Sequence, residues 1–172
     1  MNNFKITLFI ICAFSYNLYA QTTPIYEIQG DGTVSPLLGT SVIAEGVVTA
    51  SFQSNAALNG FFMQDTLGDG DEATSDGIFV YTQGTSELVS MGDLVRVSGV
   101  IQEFSGMTRF NNPVVTILDN ERTIEPTAVN LPAPNGVLLE NVEGMYVVFP
   151  QELTVTDNYS LGQYGEVGLS AT

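Results

Sequence analysis

The most constraining feature of this chain is a rhythm. Short runs in which β-branched and aromatic residues alternate with polar ones are separated by clusters of Gly, Asn and Asp. A period of two puts every second side chain on the same face of an extended strand, whereas a helix needs a period near 3.6. Five runs carry the strand pattern: Ser41 to Gln53, Gly60 to Asp65, Gly77 to Thr82, Asp93 to Glu103 and Val114 to Leu118. Their connections read as turns: Ser54 to Asn59, an acidic loop from Thr66 to Asp76, and Ser105-Gly106 after the long fourth strand. Gln83 to Gly92 leaves room for about one helical turn.

Five strands in this order predict an all-β, OB-fold-like Greek-key barrel, a fold whose open face and flanking loops take oligonucleotides or sugars. The alternative is a β-sandwich, which needs roughly seven strands. The barrel is expected over residues 41–124, after a lead-in over 21–40. Prolines at 126, 132 and 134 mark a connection over 125–136, because proline donates no ladder hydrogen bond. Residues 137–172 read as the start of a second β unit, with a helical turn over Val137 to Asn141 and strand pattern over Glu143 to Phe149 and Glu152 to Thr156. Glu45-Gly46-Val47-Val48 and Glu143-Gly144-Met145-Tyr146 open comparable runs, a faint sign of a second barrel. Leu169 to Thr172 has strand character and no polar tail, so the second unit is expected to be truncated and the parent protein to continue.

The first twenty residues have another character. A short basic start, Met1 to Lys5, precedes the apolar run Ile6 to Phe14 and a small-residue end at Leu18-Tyr19-Ala20. This is the pattern of a secretory signal peptide over residues 1–20, too short for a membrane span, and it predicts a secreted, extracellular protein without a membrane span after cleavage. Ile11 before Cys12 does not suit a lipoprotein signal. Cleavage after Ala20 removes Lys5 and Cys12 and leaves Arg96, Arg109 and Arg122 against 19 acids. Losing Lys5 takes the formal charge from −15 to −16.

Composition then excludes chemistry. Without histidine there is no imidazole for a Ser-His-Asp or Cys-His pair and no histidine metal ligand. Without cysteine after residue 20 there is no thiolate nucleophile, disulfide or thiolate-bound zinc. No Gly-x-Ser-x-Gly, phosphate-binding Gly-x-x-x-x-Gly-Lys or glycosidase-like carboxylate pair is recognisable, so the segment presents no catalytic constellation. Asn158-Tyr159-Ser160 matches a glycosylation sequon but is equally a turn sequence.

Two candidate sites survive. In the acidic loop, Asp65, Asp69, Asp71, Glu72 and Asp76 bring five carboxylates into twelve residues, with glycines at 68, 70 and 77. Ca²⁺ takes six to eight oxygens from such loops. With Asp65 as position 1 of an EF-hand count, Asp69, Gly70 and Asp76 fall at 5, 6 and 12, but Leu67 occupies position 3 and no helices flank the loop. Asp65, Asp69, Asp71 and Asp76 are therefore candidate calcium ligands, and a solvated acidic turn is the competing reading. The second candidate is a surface. Alternation puts Phe79 and Tyr81 on one face of their strand, and Arg96 outward on the next. Aromatic rings beside arginine serve base stacking and cation–π contacts in single-strand binding barrels. Phe79, Tyr81, Arg96 and Arg109 are accordingly the candidate nucleic-acid contacts, although an aromatic in a small barrel also serves as core. Three cations give little phosphate affinity, so DNA binding would need divalent ions, an Arg96–Arg109 cluster or a basic partner domain.

The runs Gly60 to Tyr81 and Val89 to Gly99 resemble the N-terminal region of ExeM/NucH-type secreted bacterial endonucleases. Leu139-Glu140, Glu143-Gly144-Met145, Phe149-Pro150, Leu153 to Tyr159 and Leu161 to Val167 resemble the continuation of the same region. The resemblance implies a YhcR-type OB-fold module ahead of a metal-dependent nuclease domain of the endonuclease/exonuclease/phosphatase superfamily. Such a domain uses His, Asp, Asn and Glu around Mg²⁺. With no histidine in this chain, no catalytic residue carries over, and DNA hydrolysis is implied only for a parent protein with a downstream nuclease domain.

Overall fold

The computed structural model describes residues 21–53, 58–83, 87–133, 137–164 and 166–171. The signal-peptide expectation lies outside these residues. Five strands form one closed barrel: β1 (Ser41–Phe52), β2 (Gly60–Gln64), β3 (Gly77–Tyr81), β4 (Leu94–Phe104) and β5 (Met107–Asp119). Their order around the ring is β1-β2-β3-β5-β4, with β4 returning to β1. All neighbours are antiparallel except β3 and β5, which run parallel through Phe79–Arg109, Val80–Phe110 and Tyr81–Asn111. This is the OB-type Greek-key order. A single closed ring leaves no room for the two-sheet alternative.

Alternation decides the interior. Phe61 and Met63 of β2, Ile78 and Val80 of β3, Val95, Val97 and Ile101 of β4, and Phe110 of β5 are all buried in one cluster. β1 breaks strict alternation at a bulge between Val48 and Ala50, so that Val47 and Val48 are both buried while the strand bends from β4 to β2.

β5 is much longer than the expected Val114 to Leu118. Asn111-Asn112-Pro113, which lies before the expected strand, is a bulge within the ladder. Val100 pairs with Asn111 and Ser98 with Val114, which leaves Asn112 (φ 50°) and Pro113 opposite Gly99. A bulge tolerates both the left-handed residue and the missing proline N–H. The tip joining β4 to β5 is Ser105-Gly106, both at positive φ, as a tight hairpin requires.

The lead-in contains an element that the strand rhythm does not disclose. α1 (Ile25–Gln29) places Ile25 and Ile28 in the core, and Ile25 N–H donates to Asp65 Oδ2 at 2.9 Å. Gln29 Nε2 donates to the Gly77 carbonyl at 2.5 Å. Five residues are too few to display helical periodicity. The described part of the Gln83 to Gly92 connection contains no helix, and Val89 there enters the core.

Beyond the barrel, β6 (Thr127–Ala128) pairs in parallel with β7 (Val147–Val148). The short α2 (Val137–Glu140) lies between them. β8 (Leu153–Asp157) pairs with β9 (Gly168–Ala171), with α3 (Leu161–Tyr164) between. The strand expected over Glu143 to Phe149 contracts to Val147–Val148, because residues 141–144 form a turn. That turn begins a strap. Ser75 Oγ donates to the Glu143 carbonyl at 2.6 Å, and Thr108 N–H donates to Glu143 Oε1 at 2.8 Å. Tyr146 N–H donates to Gln64 Oε1 at 2.9 Å. Residues 143–146 thus cross the outer side of β2, β3 and β5.

Candidate functional site

The outer faces of β2, β3 and β5, with the ends of β1 and β4, assemble an aromatic surface around one arginine. A lateral row runs Ala50, Phe62, Phe79, Arg109, Gln102 across all five strands. In the next row Phe52 pairs with Gly60 and Tyr81 with Asn111. Phe104, two residues beyond Gln102, reaches the same side from the end of the β4–β5 hairpin. Phe52 meets Phe62 edge-on at 6.3 Å between centroids, and Phe62 lies 4.8 Å from Phe79.

At the centre of the other end is Arg109. Its guanidinium carbon lies 4.3 Å from the Tyr81 ring centroid and 4.1 Å from that of Phe104. Nε and Nη2 both donate to Gln102 Oε1, at 3.1 and 2.8 Å. The residue is only 8% exposed. Burial pushes its pKa down and the neighbouring Tyr81 acts in the opposite direction, yet an arginine keeps its charge at neutral pH. Among the described residues no carboxylate lies within ion-pairing distance of it, whereas Arg96 pairs with Glu45 at 2.5 Å and Arg122 with Asp119 at 2.6 Å. Among the described residues Nη1 makes no hydrogen bond, and it keeps some contact with solvent.

The four expected contact residues separate accordingly. Tyr81 and Arg109 come together. Phe79 is on the expected face but is 3% exposed, because its ring lies across Gly60, where a Cβ would collide with it, and beneath Phe62. It supports the surface without presenting a face for stacking. Arg96 points outward, as alternation requires, but is engaged by Glu45. It also stands six residues along β4 from Gln102, the partner of Arg109, or about 20 Å at strand rise, so the two arginines form no cluster. The sequence reading missed Phe104, Phe52 and Phe62. Phe104 is 54% exposed; its place beside the Ser105-Gly106 turn was legible, but its proximity to Arg109 depends on the hairpin register.

The strap covers the other end of this outer face, at Gln64 and Gly77, and borders a shallow cleft between Met145, Tyr146, Phe52 and Phe62. Burial of Glu143, with Glu140 and Glu103 nearby, pushes its carboxyl up to about 7 against the opposing Thr108 and Gln29 hydrogen bonds.

The acidic loop is closed by the Asp65 N–H to Asp76 carbonyl bond, at 2.9 Å. Its side chains chiefly serve the backbone. Asp65 caps α1, Asp69 Oδ1 accepts from Asp71 N–H, and Asp71 Oδ1 accepts from Ala73 N–H, each of the last two at 2.9 Å. Such bonds are the local turn chemistry of aspartate. Asp76 packs over Gly68 and has a buried Oδ1 without a hydrogen-bond partner. Burial, then the charges of Asp69 and Asp65, raise its pKa. Among the described residues no group of three or more carboxylates is arranged to hold a metal ion. Nor is any helix there long and apolar enough to cross a membrane. No family model, curated protein or solved structure matches the chain.

Proposed function

We propose that this protein is a non-catalytic OB-type module of an exported, metal-dependent nuclease, and that its aromatic face helps to engage nucleic acid. The observation that carries the reading is Arg109: a buried cation without a carboxylate partner among the described residues, held between two rings on the barrel face that OB folds use for ligands. The sequence resemblance supports the nuclease context. Catalysis and its Mg²⁺ belong, in this reading, to a separate domain of the parent protein. Fluorescence anisotropy of the purified protein with single-stranded and duplex DNA tests it. Saturable binding at low salt is expected, with a loss of at least about tenfold in Phe104→Ala; absence of binding to every oligonucleotide would sink the reading.

A second reading, a calcium-stabilised spacer, has the partnerless Asp76 Oδ1 beside Asp65 and Asp69 in its favour. A ligand that binds only the folded state raises the melting temperature. A rise in millimolar Ca²⁺, reversed by chelator and lost in Asp76→Asn, would favour the spacer; an unchanged melting curve would dismiss it.

A further inference from the structure

We infer that the Arg109 site takes a single backbone phosphate of a short single-stranded segment, with one adjacent base stacked on Phe104. This rests on the nucleic-acid reading above and assigns its substrate class. The charge arithmetic limits the contact to one phosphate. Of the three arginines that follow the first twenty residues, two are already neutralised by Glu45 and Asp119. Arg109 is the remaining cation of residues 21–172, whose formal charge is −16. A duplex presents a charge about every 1.7 Å of its axis, so docking one would press several uncompensated phosphates against an acidic surface.

The geometry fits one strand better. Gln102 holds the Nε–Nη2 edge of the guanidinium, and the Tyr81 and Phe104 rings hold its plane. Nη1 is therefore oriented in advance, which reduces the entropy lost when it donates to a phosphate oxygen. Phe104 uses one ring face for Arg109 and remains half-exposed, so a base on its other face would extend the Tyr81–Arg109–Phe104 stack by one layer.

The test is a salt and length series by anisotropy, using thymidine oligonucleotides of increasing length and a duplex of the same strand. Affinity is expected to level off after about two or three nucleotides, with a slope of log K against log salt near −0.7, the value for one single-strand phosphate. Phe104→Ala should weaken binding about tenfold and leave the slope unchanged; Arg109→Gln should abolish the slope. Should Arg109→Gln fail to fold, the Phe104 variant, altered at a half-exposed ring, still decides. A slope of about −2 or steeper, affinity that keeps rising with length, or equal binding of the duplex would overturn the one-phosphate inference while leaving the binding face intact. No binding at all would overturn both.

Discussion

Glu143 shows how one side chain links the barrel to the segment that follows it. Its carboxylate accepts the Thr108 N–H but is half-buried near Glu103 and Glu140, and its pKa rises from 4.5 to about 7. In that interval the unfolded chain has released the proton while the folded protein retains it. Stability attributable to this group is therefore present below about pH 4.5 and is lost as pH rises towards 7. Glu143→Gln keeps an oxygen acceptor for Thr108 and removes the charge. The variant should melt higher than the parent at about pH 8 and close to it at about pH 5, as followed by circular dichroism. A parent melting temperature that is flat between those values would contradict the assignment.

The strap is the element with the clearest mechanical role. A Cβ on Gly77 would collide with the backbone of Gly144 and Met145, while the Gly77 carbonyl already accepts from Gln29 of α1. Gly77 is thus a point of backbone approach between β3, the strap and the helical plug. Gly77→Ala should displace the strap first. Limited proteolysis is expected to cut near residues 143–146 sooner than in the parent, with a loss of stability of about 1–3 kcal/mol as measured by denaturant. An unchanged cleavage pattern would show that the strap accommodates the methyl group.

At the scale of the molecule, acidity dominates. Nineteen acids and so few bases make the folded state repel itself, and salt screens that repulsion over a Debye length of about 8–10 Å. Raising sodium chloride from low to moderate concentration should therefore increase the melting temperature. The same salt should weaken oligonucleotide binding only slightly, because one phosphate contact releases few counterions. Opposite signs for stability and affinity would separate global self-repulsion from the local cation at Arg109.

Much of the barrel was determined by the sequence itself. Period-two alternation is a local property, so strand existence, the separate faces of Phe79 and Tyr81 and of their neighbours Ile78 and Val80, the outward direction of Arg96 and the Ser105-Gly106 turn were all legible, whereas which residues of β2 face inward was not. Other features depended on contacts between distant segments. Asn112-Pro113 is a bulge because Gly99 stands opposite it, and Ile25 and Ile28 form a plug because the barrel leaves an end open to fill. Phe79 is buried because Gly60, nineteen residues earlier, has no side chain to keep its ring away. Only the closed register brings Tyr81, Phe104 and Arg109 from three strands into one stack, and only that proximity distinguishes Arg109 from the two arginines paired with carboxylates. Local chemistry decided which faces the strands have; ring closure decided which residues share them.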